Sequence, residues 1–231
     1  MNHIILFDLD GTLTDPKEGI TKSVQHALQP GIVNSVRYAL RSFGMEAEPA
    51  TLRSFIGPPL SDSFKEYYGF SEAQAREAID HFHEYFTKQG MFENKVYPGI
   101  REMLTRLKDA GLTLAVATSK PEPFAIQILE HFDLLSYFTL VGGADMEEIR
   151  VRKGDVIAYT LDRLGTTPEE SKVIMVGDRK HDIIGAHENQ LPCAAVLYGY
   201  GSREEFTENG ADYQIETVEE LGDFLMKWGE V

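Results

Sequence analysis

The stretch ILFDLDGTLTD, residues 5–15, places two carboxylates two positions apart directly after an apolar run. Side chains alternate along a strand, so Asp8 and Asp10 would project the same way if the strand continued through both. Gly11 then allows the backbone to turn sharply. Two carboxylates about 4 Å apart repel each other by roughly 4 kcal/mol at an effective dielectric constant of about 20. The pair therefore needs a bound cation or a shared proton.

Short apolar, β-branched runs of the same kind recur along the chain and alternate with helical patterns. Strands this apolar, separated by helices, predict a parallel sheet buried on both faces, which is an α/β fold. The predicted strands are 3–7, 112–117, 138–141, 173–176 and 193–197. The predicted helices are 99–110, 122–131, 155–164 and 218–228, and residues 167–170 read as one more helix start.

Residues 16–95 break this alternation because they look helical and contain no convincing strand. Ser71 and Gln74 have the capping-box pattern, apolar residues follow at 75, 79, 82 and 86, and Gly90 is predicted to end the helix. We therefore expect a small all-helical domain, residues 16–95, inserted into a core made of residues 1–15 and 96–231.

A near-repeat lies inside this insert. GITKSVQHAL, residues 19–28, and GIVNSVRYAL, residues 31–40, share six of ten residues at an offset of twelve. Twelve residues advance a helix by about 1200°, which leaves the two apolar stripes about 120° apart. We therefore expect two helices or one looped-out copy, and which copy occupies the original helix position stays open.

Other predicted strands end in polar residues that bear on the first pair. Gly177 and Asp178 close one strand, and Asp182 follows four residues later. Ligands of open parallel sheets bind beyond the carboxyl ends of the strands, so Asp8, Asp10, Asp178 and Asp182 are expected to meet there. A cluster of carboxylate oxygens without matching His or Cys suits Mg²⁺.

Two further polar groups follow strand or helix boundaries. Thr118 and Ser119 end the strand in LTLAVATSKP and offer hydroxyl and backbone N–H groups, which suit a phosphate. Lys153 precedes a predicted helix and would supply positive charge.

The overall charge of −15 argues against binding to nucleic acid or to an anionic membrane surface. Cys193 is the single cysteine, so no internal disulfide is possible, which suits a reducing cytoplasm. No apolar run approaches the roughly 18 residues needed to cross a bilayer. We expect a cytoplasmic protein whose anionic substrate is met by locally concentrated positive charge.

As a set, these motifs resemble the haloacid dehalogenase superfamily, in its Mg²⁺-dependent phosphatase branch. The motifs are DLDGTLTD at 8–15, Thr118, Lys153 and GDRKHD at 177–182, and FIGPPL (55–60), ATSKP (117–121) and VLYGYGS (196–202) resemble the phosphoglycolate-phosphatase-like members. The resemblance covers nearly the whole chain. It implies a Rossmann-like core with helices on both faces and a mobile α-helical cap inserted after the first strand.

The resemblance also implies roles for the acidic residues. Asp8 would be the nucleophile that forms an aspartyl-phosphate, and Asp10 the general acid and then the general base. Mg²⁺ would be held by the side chains of Asp8 and Asp178 and by the backbone carbonyl of Asp10. Asp182 would support these ligands without being one of them.

Phosphate-binding and specificity residues are carried over in the same way. Thr118, Ser119, Lys153 and an N–H group of Gly11 would bind the phosphoryl oxygens. Substrate specificity is expected in the cap, first at Arg53 and in the loop that contains Phe55, Ile56 and Gly57.

The expected function is a Mg²⁺-dependent phosphatase acting on a small phosphorylated metabolite of the phosphoglycolate or nucleoside monophosphate type, as a monomer or homodimer. A phosphomutase, or a phosphonate hydrolase with a cap lysine, would keep the same core; Lys22, Lys65, Lys88 and Lys95 are the candidates for that lysine. A non-catalytic phosphate-binding regulatory protein is the alternative outside enzymes. It is disfavoured because such a protein would be expected to lack one of Asp8, Asp10, Lys153 or Asp178.

Overall fold

The computed structural model describes residues 2–15, 31–56, 58–146 and 149–229. Two compact units make up the chain: a core unit, Met1–Thr14 with Val96–Val231, and a helical unit, Asp15–Lys95. The predicted core and cap differ from these units by one residue at the first junction. Two short strands, β2 (Thr14–Asp15) and β3 (Lys95–Val96), form a two-stranded sheet where the chain passes between the units.

The core unit contains a six-stranded, wholly parallel sheet in the order β5-β4-β1-β6-β7-β8. Its strands are β1 (Asn2–Phe7), β4 (Thr113–Pro121), β5 (Leu140–Ala144), β6 (Ser171–Gly177), β7 (Cys193–Val196) and β8 (Tyr213–Ile215). The central strand β1 pairs Ile4 with Thr113 of β4 on one side and with Val173 of β6 on the other. The predicted α/β fold is confirmed. The carboxyl ends of β4, β1 and β6 are neighbours, which is where the polar residues of the sequence motifs fall.

The sheet is buried on both faces because its strands are almost entirely apolar. Ile4 and Leu6 belong to one hydrophobic cluster, which also contains Val156 and Ile183 from two helices of the core. Ile5 and Phe7, which alternate with them along β1, are fully buried as well. The four consecutive apolar residues from Ile4 to Phe7, all of them buried, fit such a two-sided burial.

The core helices are α4 (Ile100–Asp109), α5 (Glu122–His131), α6 (Lys153–Leu164), α7 (Lys180–Glu188), α8 (Arg203–Glu208) and α9 (Val218–Gly229). The predicted helix start at residues 167–170 is wrong. These residues form a turn, in which the amide of Ser171 donates to the carbonyl of Thr167, and β6 begins at once. Across the described part of the chain, no helix is both long enough and apolar enough to pass through a bilayer.

The helical unit contains α1 (Gly31–Ser42), α2 (Leu60–Tyr68) and α3 (Glu72–Phe86), with short 3₁₀ turns at Pro49–Phe55 and Gly90–Phe92. The predicted capping box at the start of α3 is present: the Gln74 amide donates to Ser71 Oγ at 3.3 Å, and the Ser71 amide to Gln74 Oε1 at 3.0 Å. Helix α3 ends at Phe86, before Gly90. Gly90 is required for space, since a Cβ there would overlap the hydroxyl of Ser35 in α1.

The second copy of the near-repeat forms helix α1, whereas the first copy, residues 19–28, lies outside the described residues. The buried residues of the second copy are Gly31, Ile32, Val33, Ser35, Val36, Ala39 and Leu40. All of these except Val33 are identical in the first copy, where Thr21 stands in its place. Six of the seven buried positions of α1 are therefore identical in the two copies, and the other differences fall at its half-buried or exposed positions.

Candidate active site

The turn after β1 holds the first two carboxylates. Strand β1 ends at Phe7, although the Asp8 amide still donates to the Val176 carbonyl of β6 at 2.9 Å. Gly11 has a φ of +86°, a left-handed conformation that favours glycine, and it reverses the chain there. The strand therefore does not continue through Asp10. The pKa of Asp10 is raised on balance, because burial raises it more than the nearby Lys120 ammonium group lowers it. The charge of Asp8 also raises this pKa, so Asp8 and Asp10 lie close enough to interact.

Lys153, the first residue of α6, is buried between two acids. Its Nζ atom lies 2.7 Å from Asp8 Oδ1 and 2.8 Å from Asp182 Oδ1, and it donates to the Ala117 carbonyl at 3.0 Å. Burial alone would lower the pKa of Lys153, but the charges of Asp182 and Asp8 raise it above its ordinary value. The lysine is therefore a fixed cation at the ends of β1 and β4.

Asp178 directly follows β6 and is fully buried. Its Oδ2 atom accepts from the Tyr200 amide at 2.8 Å, and its carbonyl accepts from the Gly201 amide at 2.9 Å. Gly11 and Gly199 both lie against it, so closely that a Cβ on either would overlap its side chain. Burial, and then the charges of Asp182 and Asp8, raise the pKa of Asp178 well above its usual range.

Asp182 lies in the first turn of α7, and both of its carboxylate oxygens contact other groups of the protein. Oδ2 accepts from the amides of Asp178 and Arg179 at 3.1 and 3.0 Å, whereas Oδ1 contacts Lys153. Burial raises the pKa of this carboxyl more than Lys153 lowers it. Asp182 therefore orients the start of α7 and the buried lysine.

The end of β4 brings Thr118 and one residue that the sequence interpretation missed. Thr118 is buried next to Ala117, and its Oγ1 atom accepts from the Lys120 amide at 3.3 Å; Ser119 is half-buried. Lys120 Nζ lies 2.7 Å from Asp10 Oδ2. A lysine directly after a Thr-Ser strand end, in a chain this acidic, was the available indication.

The donor set fits a divalent cation. Carboxylate oxygens of Asp8, Asp178 and Asp182 lie within 4.8 Å of one another, a grouping that could hold a metal ion. Asp178 Oδ1 is buried and, among the described residues, has no hydrogen-bond partner. Two lysines face four carboxyl groups here, so two negative charges remain when all four are ionised, equal in magnitude to the charge of one Mg²⁺. Oxygen-only donors suit this ion.

The residues predicted to set specificity belong to the helical unit. Phe55 and Ile56 are buried, and the Phe55 ring centroid lies 5.0 Å from that of Phe64 and 5.7 Å from that of Tyr67. Arg53 lies in the 3₁₀ turn Pro49–Phe55, and Gly57 is outside the described residues. Their role in specificity stays a prediction; for Phe55 and Ile56 the observed environment is the interior of this unit.

Comparison with known protein families identifies one match. Residues 5–196 match the model of the haloacid dehalogenase-like hydrolases, a span that contains the four carboxylates and the two lysines of the site described above.

Individual relatives match over most of their length. A protein of Pseudomonas aeruginosa named 5'-nucleotidase is 45% identical over 87% of this chain and 85% of its own. A protein of Mycobacterium tuberculosis named tyrosine-protein kinase PtkA is 36% identical over 96% of this chain and 72% of its own. The phosphoglycolate phosphatase of Escherichia coli O157:H7 is 28% identical over 94% and 90%.

Solved structures agree with the fold. The crystal structure of a predicted phosphatase from Clostridium acetobutylicum superimposes with a TM-score of 0.88, at 44% identity, and covers 98% of both chains. With the family model, the relatives and this likeness in agreement, the chain belongs to the haloacid dehalogenase-like hydrolase family.

Proposed function

We propose that this chain, a phosphatase of the haloacid dehalogenase-like family, hydrolyses a small phosphate monoester with Mg²⁺ through an aspartyl-phosphate intermediate. One observation carries the proposal: the carboxylates of Asp8 and Asp178 lie together beside the buried Lys153. A carboxylate attacks an anionic phosphorus centre only when cationic groups offset the repulsion between them. Here a fixed cation already contacts the carboxylate proposed to attack.

The reaction divides between two acids. An oxygen of Asp8 forms a bond to phosphorus while the bond from phosphorus to the leaving oxygen breaks, and Asp10 donates its proton to that oxygen. In the second step Asp10 takes a proton from water, the water oxygen bonds to phosphorus, and the bond to Asp8 breaks. The products are the alcohol and inorganic phosphate, and both carboxyl groups return to their starting states.

Binding of the phosphoryl group falls to groups around Asp8. Lys153 supplies the positive charge, and Thr118 and Ser119 supply hydrogen-bond donors. The Gly11 amide, which the sequence also predicted as a donor, already donates to the Thr14 carbonyl at 2.7 Å and is left out of the proposal. Thr118 is buried beside Ala117, and the Ala117 carbonyl accepts a hydrogen bond from Lys153. Thr118 and the Lys153 ammonium group therefore both lie at the end of β4.

The proposed metal ligands are Asp8, the backbone carbonyl of Asp10 and Asp178, with Asp182 holding Lys153 and the start of α7. Asp178 Oδ1, which has no hydrogen-bond partner in the described part of the chain, supports this assignment. When bound, Mg²⁺ supplies positive charge that stabilises the charge developing on the phosphoryl oxygens.

Nucleoside monophosphates are the first substrates to test, because the relative named 5'-nucleotidase is the more similar of the two phosphatase-named relatives described above. Phosphoglycolate comes second. The partner we propose is a small phosphorylated metabolite, and the absence of binding to nucleic acid or to a membrane stays a prediction from the net charge. A cytoplasmic location and a monomeric or homodimeric state remain predictions from the sequence.

The test is phosphate release from a panel that contains nucleoside monophosphates, phosphoglycolate and p-nitrophenyl phosphate, with Mg²⁺ and then with EDTA. We expect release that EDTA abolishes and that Asp8→Asn also abolishes. Absence of release from every ester with Mg²⁺ present would contradict the proposal and favour a phosphate-binding regulatory protein. Turnover by Asp8→Asn at the wild-type rate would exclude the covalent route.

A further inference from the structure

The ion pair between Lys120 and Asp10 has no role in the reaction as described so far. Lys120 Nζ lies 2.7 Å from Asp10 Oδ2, and the two side chains are only 8% and 12% exposed. A buried ion pair has a desolvation penalty that a surface pair does not have. Only close, well-oriented contact between the two groups offsets this penalty.

The backbone around Lys120 is shaped to bring it there. The pairing of β4 with β5 shifts register between Thr118 and Pro121, and the Lys120 amide donates to Thr118 Oγ1 inside that irregularity. Gly143 of β5 permits it, since an added Cβ would come within 2.8 Å of the Lys120 carbonyl oxygen. The strand end that presents Thr118 therefore also directs Lys120 toward Asp10.

The two oxygens of Asp10 are in different situations. Oδ2 is held by Lys120, whereas Oδ1 is buried and has no hydrogen-bond partner within the described ranges. Most buried polar side-chain atoms in proteins have a partner. Oδ1 is therefore the oxygen left for a ligand.

We propose that Lys120 is a positioning residue, whose ammonium group fixes Oδ2 of Asp10 and thereby presents Oδ1 to the leaving oxygen of the substrate. The inference rests on the proposed function, in which Asp10 transfers the proton to that oxygen. Lys120 is assigned to the proton transfer because it contacts Asp10, the proposed proton donor, whereas Lys153 contacts Asp8, the carboxylate proposed to attack phosphorus.

A positioning role predicts a loss that depends on the leaving group. An alkoxide needs a proton to depart, whereas p-nitrophenolate departs without one. Lys120→Met should therefore lower kcat/KM, which reports the first step, on the best alkyl phosphate of the panel by at least about tenfold more than on p-nitrophenyl phosphate, since general acid catalysis contributes about 10²–10⁴-fold. KM should not rise for either ester, because the proposed phosphate ligands are untouched.

Four comparisons complete the experiment. Lys120→Arg keeps the charge and should recover part of the alkyl phosphate rate. Adding Lys120→Met to Asp10→Asn should cause little further loss, because residues that act as one unit are not additive. Lys227→Met removes an exposed lysine of α9 and should leave both rates unchanged. Thermal melting of each variant verifies that it folds.

Two results would overturn the inference. Equal losses on the alkyl and aryl esters with a raised KM would make Lys120 a phosphate-binding residue, and a further large loss in the double variant would make it independent of Asp10. Either result leaves the proposed phosphatase standing, since the wild-type enzyme still turns over. A wild type that is inactive on every ester would overturn both.

Discussion

Lys153 Nζ lies 2.7 Å from Oδ1 of Asp8, and the lysine is 4% exposed. The same ammonium group lies 2.8 Å from Asp182, which in turn accepts from two backbone amides at the start of α7. One cation thus links the ends of β1 and β4 to α7. Its removal leaves two buried carboxylates facing each other without compensation.

We therefore predict that Lys153→Met damages both catalysis and folding. Loss of one buried ionic partner costs about 3–5 kcal/mol in the free energy of unfolding. Loss of a group that stabilises developing charge lowers kcat by about 10²–10³-fold. Urea denaturation and phosphate release measure the two effects.

Lys227→Met is the matched control, because it removes the same charge from an exposed position of α9. Its free energy of unfolding should stay within about 0.5 kcal/mol of wild type. A Lys153→Met protein as stable as this control would show that the buried cation does not hold the site together.

The positions of Asp8, Asp178 and Asp182 follow from one rule applied to the sequence: polar residues after apolar strands meet at the carboxyl edge of a parallel sheet. The apolar strands and the polar residues at their ends could both be predicted from the sequence. Lys120 was not recognised, because its direction depends on a register shift between β4 and β5 that no periodicity reveals.

Other differences have similar physical reasons. Residues 167–170 have the capping hydroxyl, proline and acidic residues of a helix start. No helix forms there because β6 begins at Ser171, directly after them. Strand β8 was missed because its three residues, Tyr213–Ile215, are too few to show alternation; pairing with β7 defines it. Gly90 was interpreted as a helix stop, whereas its small size serves packing against α1.

A second prediction concerns the pH dependence of the metal-free protein. Burial raises the pKa of Asp10, Asp178 and Asp182, so the folded state binds protons more tightly than the unfolded chain, in which Asp titrates near about 3.9. The contribution of these three groups to stability is then fully present below that value and is lost as the pH rises through their folded-state pKa values. Urea denaturation in EDTA from pH 5 to 8 should show this fall, and Mg²⁺ should reduce it by stabilising the charged carboxylates.

Asp178→Asn isolates the contribution of one of these groups. The variant should lose part of the pH dependence in EDTA and most of the stabilisation by Mg²⁺, because the ligand and its titration disappear together. Lys153 does not contribute over this range, since its raised pKa keeps it charged throughout. An Asp178→Asn protein with the wild-type slope and the wild-type response to Mg²⁺ would contradict the assignment of Asp178 as a ligand.

A third prediction concerns Gly199, whose missing side chain leaves space for Asp178. A Cβ at Gly199 would meet the side chain of Asp178 and would come 2.5 Å from the Gly11 carbonyl oxygen. Gly199→Ala should displace Asp178 and raise the Mg²⁺ concentration that gives half-maximal activity by about tenfold, which corresponds to about 1.4 kcal/mol of binding free energy. Gly44→Ala serves as the control: Gly44 has a φ of +70° with open space around it, so the variant loses about 1–2 kcal/mol of stability with an unchanged Mg²⁺ midpoint. Equal midpoints in the two variants would refute the role of Gly199.

The last prediction concerns Glu93, which holds the start of the helix made by the second copy of the repeat. One of its carboxylate oxygens accepts from the Gly31 amide at 2.7 Å and from Asn34 Nδ2 at 3.1 Å, and the other from the Tyr85 hydroxyl at 3.0 Å. Glu93→Ala leaves these donors without their acceptor and should cost about 1–3 kcal/mol in the free energy of unfolding. Glu46→Ala removes only an exposed partner of an arginine and should cost no more than about 1 kcal/mol. Equal costs, measured by urea denaturation, would mean that the helix does not depend on this carboxylate.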